Sequence, residues 1–115
     1  MPYITLNTSL RLSPAQKEDL KTELGQQIGL IPGKVEEGLM VDISDGRSLY
    51  FAGQAGDLAF VEIRCFGPTA PEAQKAYAAA VYDMLQRQLG LDPAKVYYNH
   101  VDMNAWGAGG ALRDF

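Results

Sequence analysis

The sequence predicts an α+β protein: a tandem β-α-β repeat with both helices on one face of a four-stranded mixed sheet. Three observations predict it. Short alternating segments interleave with two segments whose apolar residues recur at helical spacing, in the order β-α-β, short β, β-α-β. A shift of 61 residues lays Gln27-Ile28-Gly29-Leu30-Ile31-Pro32-Gly33-Lys34-Val35 over Gln88-Leu89-Gly90-Leu91-Asp92-Pro93-Ala94-Lys95-Val96, with six of the nine positions identical. Both segments fall where a helix gives way to a strand, so they mark two related units, about 2–43 and 58–103, within one domain spanning 1–115. The alternative is that helix-stop chemistry, Gly then Pro, arose twice. A crossover helix makes the two strands of each unit parallel, and placing both units in one sheet puts both helices on the same side.

Each element has its own signal. Residues 2–8, Pro2-Tyr3-Ile4-Thr5-Leu6-Asn7-Thr8, are short, alternating and β-branched, a strand pattern. Ser13-Pro14-Ala15-Gln16 starts a helix: Ser13 caps, Pro14 takes the first helical position and Gln16 completes a capping box. Leu20, Leu24 and Ile28, four apart, form one apolar stripe, and Gly29 with Pro32 stops the helix. Residues 35–43 read as the second strand, ending at the turn Ser44-Asp45-Gly46. A brief strand at 49–52 and the turn Gly53-Gln54-Ala55-Gly56-Asp57 lead into a long apolar strand over 58–66. Thr69-Ala70-Pro71-Glu72 reads as another capping box, and Tyr77, Val81, Met84, Leu85 and Leu89 form the second helix's stripe. Gly90 and Pro93 end that helix, and 96–103 is the last long strand.

Composition removes several classes of function. A net charge of −4 provides no basic face for nucleic acid. The single cysteine, Cys65, has no internal disulfide partner, and the single histidine, His100, supports neither a zinc site nor a His-dependent triad. No metal or organic cofactor is expected. No run approaches the roughly 20 apolar residues that span a bilayer, and the first residues lack a signal peptide's apolar core. A cytoplasmic protein is expected, with export possible only by a route that needs no signal peptide. The sheet face away from the helices carries every second residue of 58–66 and 96–103, many of them apolar. A monomer would expose that face, so closed cyclic association is expected.

Met1-Pro2-Tyr3-Ile4 with Asn7-Thr8, the Gly33-Lys34 pair, and Val96-Tyr97-Tyr98-Asn99 followed by Asp102-Met103-Asn104 resemble the tautomerase superfamily. The likeness is to its branch of macrophage migration inhibitory factor and D-dopachrome tautomerase. It runs nearly end to end, and the length and the final Phe115 fit it too. It implies a homotrimer whose three sheets form a barrel with the helices outside, and an active site at each subunit interface. It also implies an isomerase that interconverts the keto and enol forms of α-keto acids such as phenylpyruvate without a cofactor. Its general base is an N-terminal proline, here Pro2 once Met1 is removed, as a proline in second place predicts. An α-amino group has an ordinary pKa of about 7.7–8.0. Burial and a nearby cation both lower it toward the working pH of a proton acceptor.

The resemblance assigns further roles. Lys34 is the cation that holds the substrate's carboxylate or developing enolate oxygen. The alternative is a solvated lysine at a helix–strand turn, because Lys95 stands in the same context in the second unit. Phe66 contacts substrate through its backbone amide and walls the pocket with its ring. Tyr97 and Asn99, two apart on a strand, share a face and reach the site of a neighbouring subunit; the alternative is an edge-strand pair serving backbone groups. Arg64 shares a strand face with Phe66 and offers a second cation for a carboxylate, or else pairs with Glu62. Phe115 is the remaining substrate-binding candidate. Cys65 points the other way, toward the helices, and without a Cys-x-x-Cys motif no thiol oxidoreductase activity is expected.

One segment departs from the pattern. The family's Gly-Trp-Asn type sequence is replaced by Asn104-Ala105-Trp106-Gly107-Ala108-Gly109-Gly110, so Trp106 comes earlier and small residues follow it. Three outcomes stay open: a wider mouth, a more mobile tail, or Trp106 as the substitute wall. Two rival functions stay open as well. One is a cytokine-like binding protein with a weak or vestigial tautomerase site. The other is a dehalogenase or decarboxylase, for which Arg64 and Glu62 are the only nearby candidates.

Overall fold

Alternation decides the first element of the computed structural model, which describes residues 1–114. In β1 (Pro2–Thr8) Pro2, Ile4, Leu6 and Thr8 are buried while Tyr3, Thr5 and Asn7 face partly outward. The chain continues through α1 (Pro14–Gln27), β2 (Met40–Ser44), β3 (Ala59–Phe66), α2 (Pro71–Leu89) and β4 (Val96–Met103). It ends in a hairpin of β5 (Ala105–Ala108) and β6 (Ala111–Asp114). The main sheet has the order β2-β1-β3-β4. β1 and β2 are parallel, as are β3 and β4, whereas β1 and β3 run antiparallel. The sheet is therefore mixed, with each β-α-β unit contributing one parallel pair.

Both helical stripes pack on the same face. Leu20, Leu24 and Ile28 from the first unit and Tyr77, Val81, Met84 and Leu85 from α2 are buried against Ile4, Leu6, Val61, Ile63 and Cys65. Tyr77 is fully buried, and its hydroxyl donates to the Leu24 carbonyl at 2.8 Å, so the two helices share a polar tie inside an apolar layer. The first capping box forms as read: Gln16 N donates to Ser13 Oγ at 3.1 Å and Ser13 N to Gln16 Oε1 at 2.8 Å. Gly90 closes α2 in the left-handed conformation, φ 68°, which glycine adopts without a Cβ clash.

Three expectations are corrected. Residues 35–39 are not strand; Glu36–Gly38 forms a single 3₁₀ turn, and β2 begins at Met40. Glu36 is drawn there because its carboxylate lies over Gly25 of α1, where a Cβ would collide with it. The segment 49–52 makes only an isolated bridge between Phe51 and Gln54, closed by hydrogen bonds of 2.8 and 3.0 Å across a turn with positive φ at Ala52 and Gly53. The second capping box does not form: Ala70 is the N-cap of α2, without a side-chain bond, and the Thr69 hydroxyl donates instead to the Asp102 carboxylate at 2.8 Å. Donation to a carboxylate, a charge-assisted bond, orients the hydroxyl toward β4, and the N-cap falls one residue later, at Ala70.

The open face of the sheet carries Phe60 and Tyr97 at one end, Phe66 and Met103 at the other and Val101 opposite Arg64, so many of its residues are apolar as read. Between them Glu62 binds Arg64 at 2.8 Å, Asn99 Nδ2 reaches Glu62 at 3.5 Å, and Tyr3 donates to Asp42 at 2.8 Å. The C-terminal segment is an ordered ribbon, turned at Gly109 and Gly110, both with positive φ. No helix among the described residues is long and apolar enough to cross a membrane.

Candidate active site

Antiparallel pairing of β1 with β3 brings the start of one strand to the end of the other, and Pro2 lies opposite Cys65. Gly33, at φ 81°, turns the chain after α1 in a way a side chain would resist, and so aims Lys34 back at the sheet. The Lys34 ammonium donates to the Phe66 carbonyl at 2.8 Å. The Phe66 N–H donates to the Met1 carbonyl at 3.2 Å. One residue, Phe66, therefore ties the cation to the chain start through its backbone alone.

This arrangement acts on the terminal amine. Burial holds the Met1 ammonium below its ordinary pKa, and the Lys34 ammonium beside it pushes in the same direction by charge and by hydrogen bonding. Cys65, just behind, has its thiol pushed up by burial, so it stays protonated and inert at neutral pH.

In front of the chain start opens a cleft of about 600 Å³. Met1, Pro2, Tyr3 and Arg64 line it together with Gly38, Met40, Met103 and the Ala105–Ala108 strand that carries Trp106. Most of this wall is apolar and Arg64 is its one cationic side chain among the described residues, the composition expected of a site for a small organic anion. A second depression, about 460 Å³ against α1, offers carboxylates and amides such as Asp19, Glu23 and Gln26 but no cation. Among the described residues, no three His, Cys, Asp or Glu side chains converge as a metal site would require.

The predicted site residues divide into two groups. Pro2, Lys34, Phe66 and Arg64 come together, although Lys34 and Phe66 contact Met1 and are not themselves walls of the cleft. Arg64 lines the cleft and pairs with Glu62, the alternative read for it. Tyr97 and Asn99 stand elsewhere. They lie opposite Phe60 and Glu62 in register, whereas Pro2 lies opposite Cys65. At about 3.3 Å per residue, Tyr97 is roughly 17 Å along the sheet from the chain start. Its side chain is open to solvent, 64% exposed. One protomer does not unite these two residues with Pro2. Phe115 lies outside the described residues.

Met40, Met103 and Tyr3 line the cleft without having been assigned to it, and Trp106 lines it as the substitute wall that the sequence left open. For Trp106 the signal was the Gly109-Gly110 pair, a two-residue hairpin turn that fixes the ribbon's register, with Trp106 opposite Arg113. For Met103 it was strand alternation, since it shares a face with Tyr97 and Asn99.

Comparison with known proteins follows the same lines. The family model described as macrophage migration inhibitory factor (MIF) matches residues 1–111. Macrophage migration inhibitory factor of Meriones unguiculatus is 27% identical over 109 residues, 95% of this chain and 94% of that protein. Among solved structures, MIF2 of Leishmania major superposes with a TM-score of 0.89 at 21% identity, covering 98% of this chain and 97% of that one. Pt0534, solved as the protein inactivated by 2-oxo-3-pentynoate, gives a TM-score of 0.82 at 20% identity over 94% of this chain and 92% of its own. These structures share the fold.

Proposed function

The chain belongs to the macrophage migration inhibitory factor family, and from that premise we propose that it is a keto–enol tautomerase acting on α-keto acids such as phenylpyruvate, with Pro2 as general base. The observation that carries this reading is the setting of the chain start: Pro2 lines a mostly apolar cleft, and the amine of Met1 just before it is held below its ordinary pKa by burial and Lys34. We read the whole chain, 1–115, as one such domain built from two related units.

In the proposed reaction, removal of Met1 turns the Pro2 nitrogen from an amide into a free secondary amine. That amine takes a proton from the carbon next to the substrate's carbonyl; the C–H bond breaks, an N–H bond forms and the electron pair moves to oxygen. Lys34 stabilises the charge on that oxygen, the dominant contribution expected of a preorganised cation. The Pro2 ammonium then returns the proton to the oxygen, giving the enol and restoring the base. The Phe66 N–H, now donating to the Met1 carbonyl, marks where an oxygen acceptor of the substrate stands. Arg64 receives the carboxylate, and Trp106 with Met40 and Met103 encloses the organic group.

The working unit we propose is a homotrimer. Tyr97 and Asn99 are separated from Pro2 within a protomer, and a neighbouring copy would bring them to it. The exposed Tyr97, Met40 and Leu112 and the projecting β5–β6 ribbon would find cover in the same assembly.

The test uses protein whose intact mass shows Met1 removed. It should interconvert the keto and enol forms of phenylpyruvate, and Pro2→Gly should lose most of that activity. It should also gain one adduct at Pro2 from 2-oxo-3-pentynoate, an α-keto acid whose conjugated alkyne accepts an amine. Full activity in Pro2→Gly would end the proposal.

A further inference from the structure

We propose that Asp102 is a positioning residue of this site: by gripping the Gly67–Thr69 segment it fixes the Phe66–Gly67 peptide plane, and so the stand of the Lys34 ammonium beside the chain-start amine. The inference rests on the tautomerase reading for its purpose and on the following geometry for its substance. Asp102, next to last in β4, lies opposite Cys65 in register. Its carboxylate collects three donors. Oδ2 accepts from Thr69 N at 2.9 Å, and Oδ1 accepts from Thr69 Oγ1 at 2.8 Å and from His100 Nε2 at 3.0 Å. Gly67 allows this approach, because a Cβ there would stand 2.6 Å from the carboxylate carbon.

The Phe66 carbonyl and the Gly67 N–H belong to one planar unit. Its N–H donates to the Met103 carbonyl at 3.2 Å, and its carbonyl accepts the Lys34 ammonium at 2.8 Å. Rotation of that plane would break the first bond and carry the lysine's anchor away. The end of β4 resists the rotation at two points, Met103 on the plane itself and Asp102 on the residues just after it. His100 holds Asp102 in turn: its Nε2 faces the carboxylate, while its buried Nδ1 has no partner among the described residues. Burial alone would push the Asp102 carboxyl up; the bonds from Thr69 and His100 outweigh it and keep it below the usual carboxylate range, ionised at neutral pH.

The readout is the pH midpoint of the chain-start amine, followed by the ¹⁵N resonance of Pro2 in labelled, Met1-free protein. The titratable and charged groups around the Met1 amine, whose place as chain start Pro2 takes, are Lys34, Cys65 with Asp102 behind it and, across the cleft, Arg64. Asp102→Asn should raise the midpoint toward the ordinary α-amino range of about 7.7–8.0, because Lys34 loses its fixed station. Thr69→Val, which removes only the hydroxyl donor, should raise it less, and Thr69→Ser should restore the wild-type value. The acid limb of kcat/KM should move with the midpoint. If both midpoints stay at the wild-type value while the melting temperature falls, Asp102 is structural and the inference is overturned; should Asp102→Asn fail to fold, the Thr69→Val and Thr69→Ser pair decides alone. The titration needs no turnover. A shifted midpoint in a protein without tautomerase activity would sink the functional reading and leave the positioning role, and an active enzyme with an unmoved midpoint would do the reverse.

Discussion

Replacing Lys34 by methionine keeps its stem and removes its charge, which separates the two causes of the depressed amine. Burial remains, and the ammonium's charge and hydrogen bond are lost together. A like charge beside an amine disfavours its ammonium form, so the amine's pKa should rise when Lys34 loses its charge. The sign follows from the role. The base works unprotonated, so activity is present above its pKa and is lost as pH falls through it. In Lys34→Met that loss should begin at higher pH. Removing an oxyanion partner should also lower the plateau above the pKa, by about 10²–10³ in kcat. Phenylpyruvate tautomerisation followed across pH 5–9 separates the two effects, since the limb reports the pKa and the plateau reports the oxyanion. A lower plateau with an unmoved limb would refute the electrostatic half of the reasoning, leaving burial as the sole cause of the depressed amine.

Three further outcomes follow from the same geometry. Trp106→Ala should raise KM for phenylpyruvate by up to about tenfold, the worth of one aromatic contact, while leaving pyruvate turnover nearly unchanged; equal losses on both substrates would remove Trp106 from the specificity wall. Co-refolding Pro2→Gly with Asn99→Ala, each nearly inactive alone, should return activity to roughly a quarter of the sites if each site draws on two copies, and none if it does not. Tyr77→Phe should cost about 1–3 kcal/mol in urea unfolding, because the Leu24 carbonyl loses its buried donor. No measurable change there would show that water reaches the carbonyl.

Local chemistry was legible in the sequence wherever partners lie within a few residues of each other. Ser13 and Gln16 are three apart, and their capping box forms as read. The apolar spacing of Leu20, Leu24 and Ile28 needed only the helical period to place them in the core. Where a distant group competed, the reading failed. Thr69 has the right spacing for a cap but meets a carboxylate 33 residues away. Residues 35–39 have strand-like apolar ends, but Glu36 is drawn to a glycine face on α1 that no local pattern reveals. The site divides in the same way. The fold gathers Pro2, Lys34, Phe66 and Arg64, whereas Tyr97 and Asn99 stand apart from them, and the second copy proposed to bring them to the site lies outside one chain's periodicity. Trp106 entered through a hairpin whose Gly-Gly signal was present and was read only as a run of small residues.

The two units also explain why this sheet has one such site and not two. Lys34 and Lys95 hold matching places after their helices, and the sheet's ends match as well. At one end the Phe66 N–H donates to the carbonyl of Met1, the residue before β1; at the other the Ser9 N–H donates at 3.1 Å to the carbonyl of Leu58, the residue before β3. The backbone frame is thus the same twice. Removing Met1 leaves an amine at the first end, but Leu58 is an internal residue bound on both sides by peptide bonds, so the second end has no amine to expose. The lysines have diverged accordingly: Lys34 anchors on the Phe66 carbonyl, whereas Lys95 lies over the Phe51 ring at 5.2 Å, and that ring in turn leans on Tyr97 at 5.3 Å. The two β-α-β units therefore frame their ends with like backbone bonds, and under the proposed mechanism the end that carries the chain's first nitrogen, with Lys34 beside it, is the one able to offer a base.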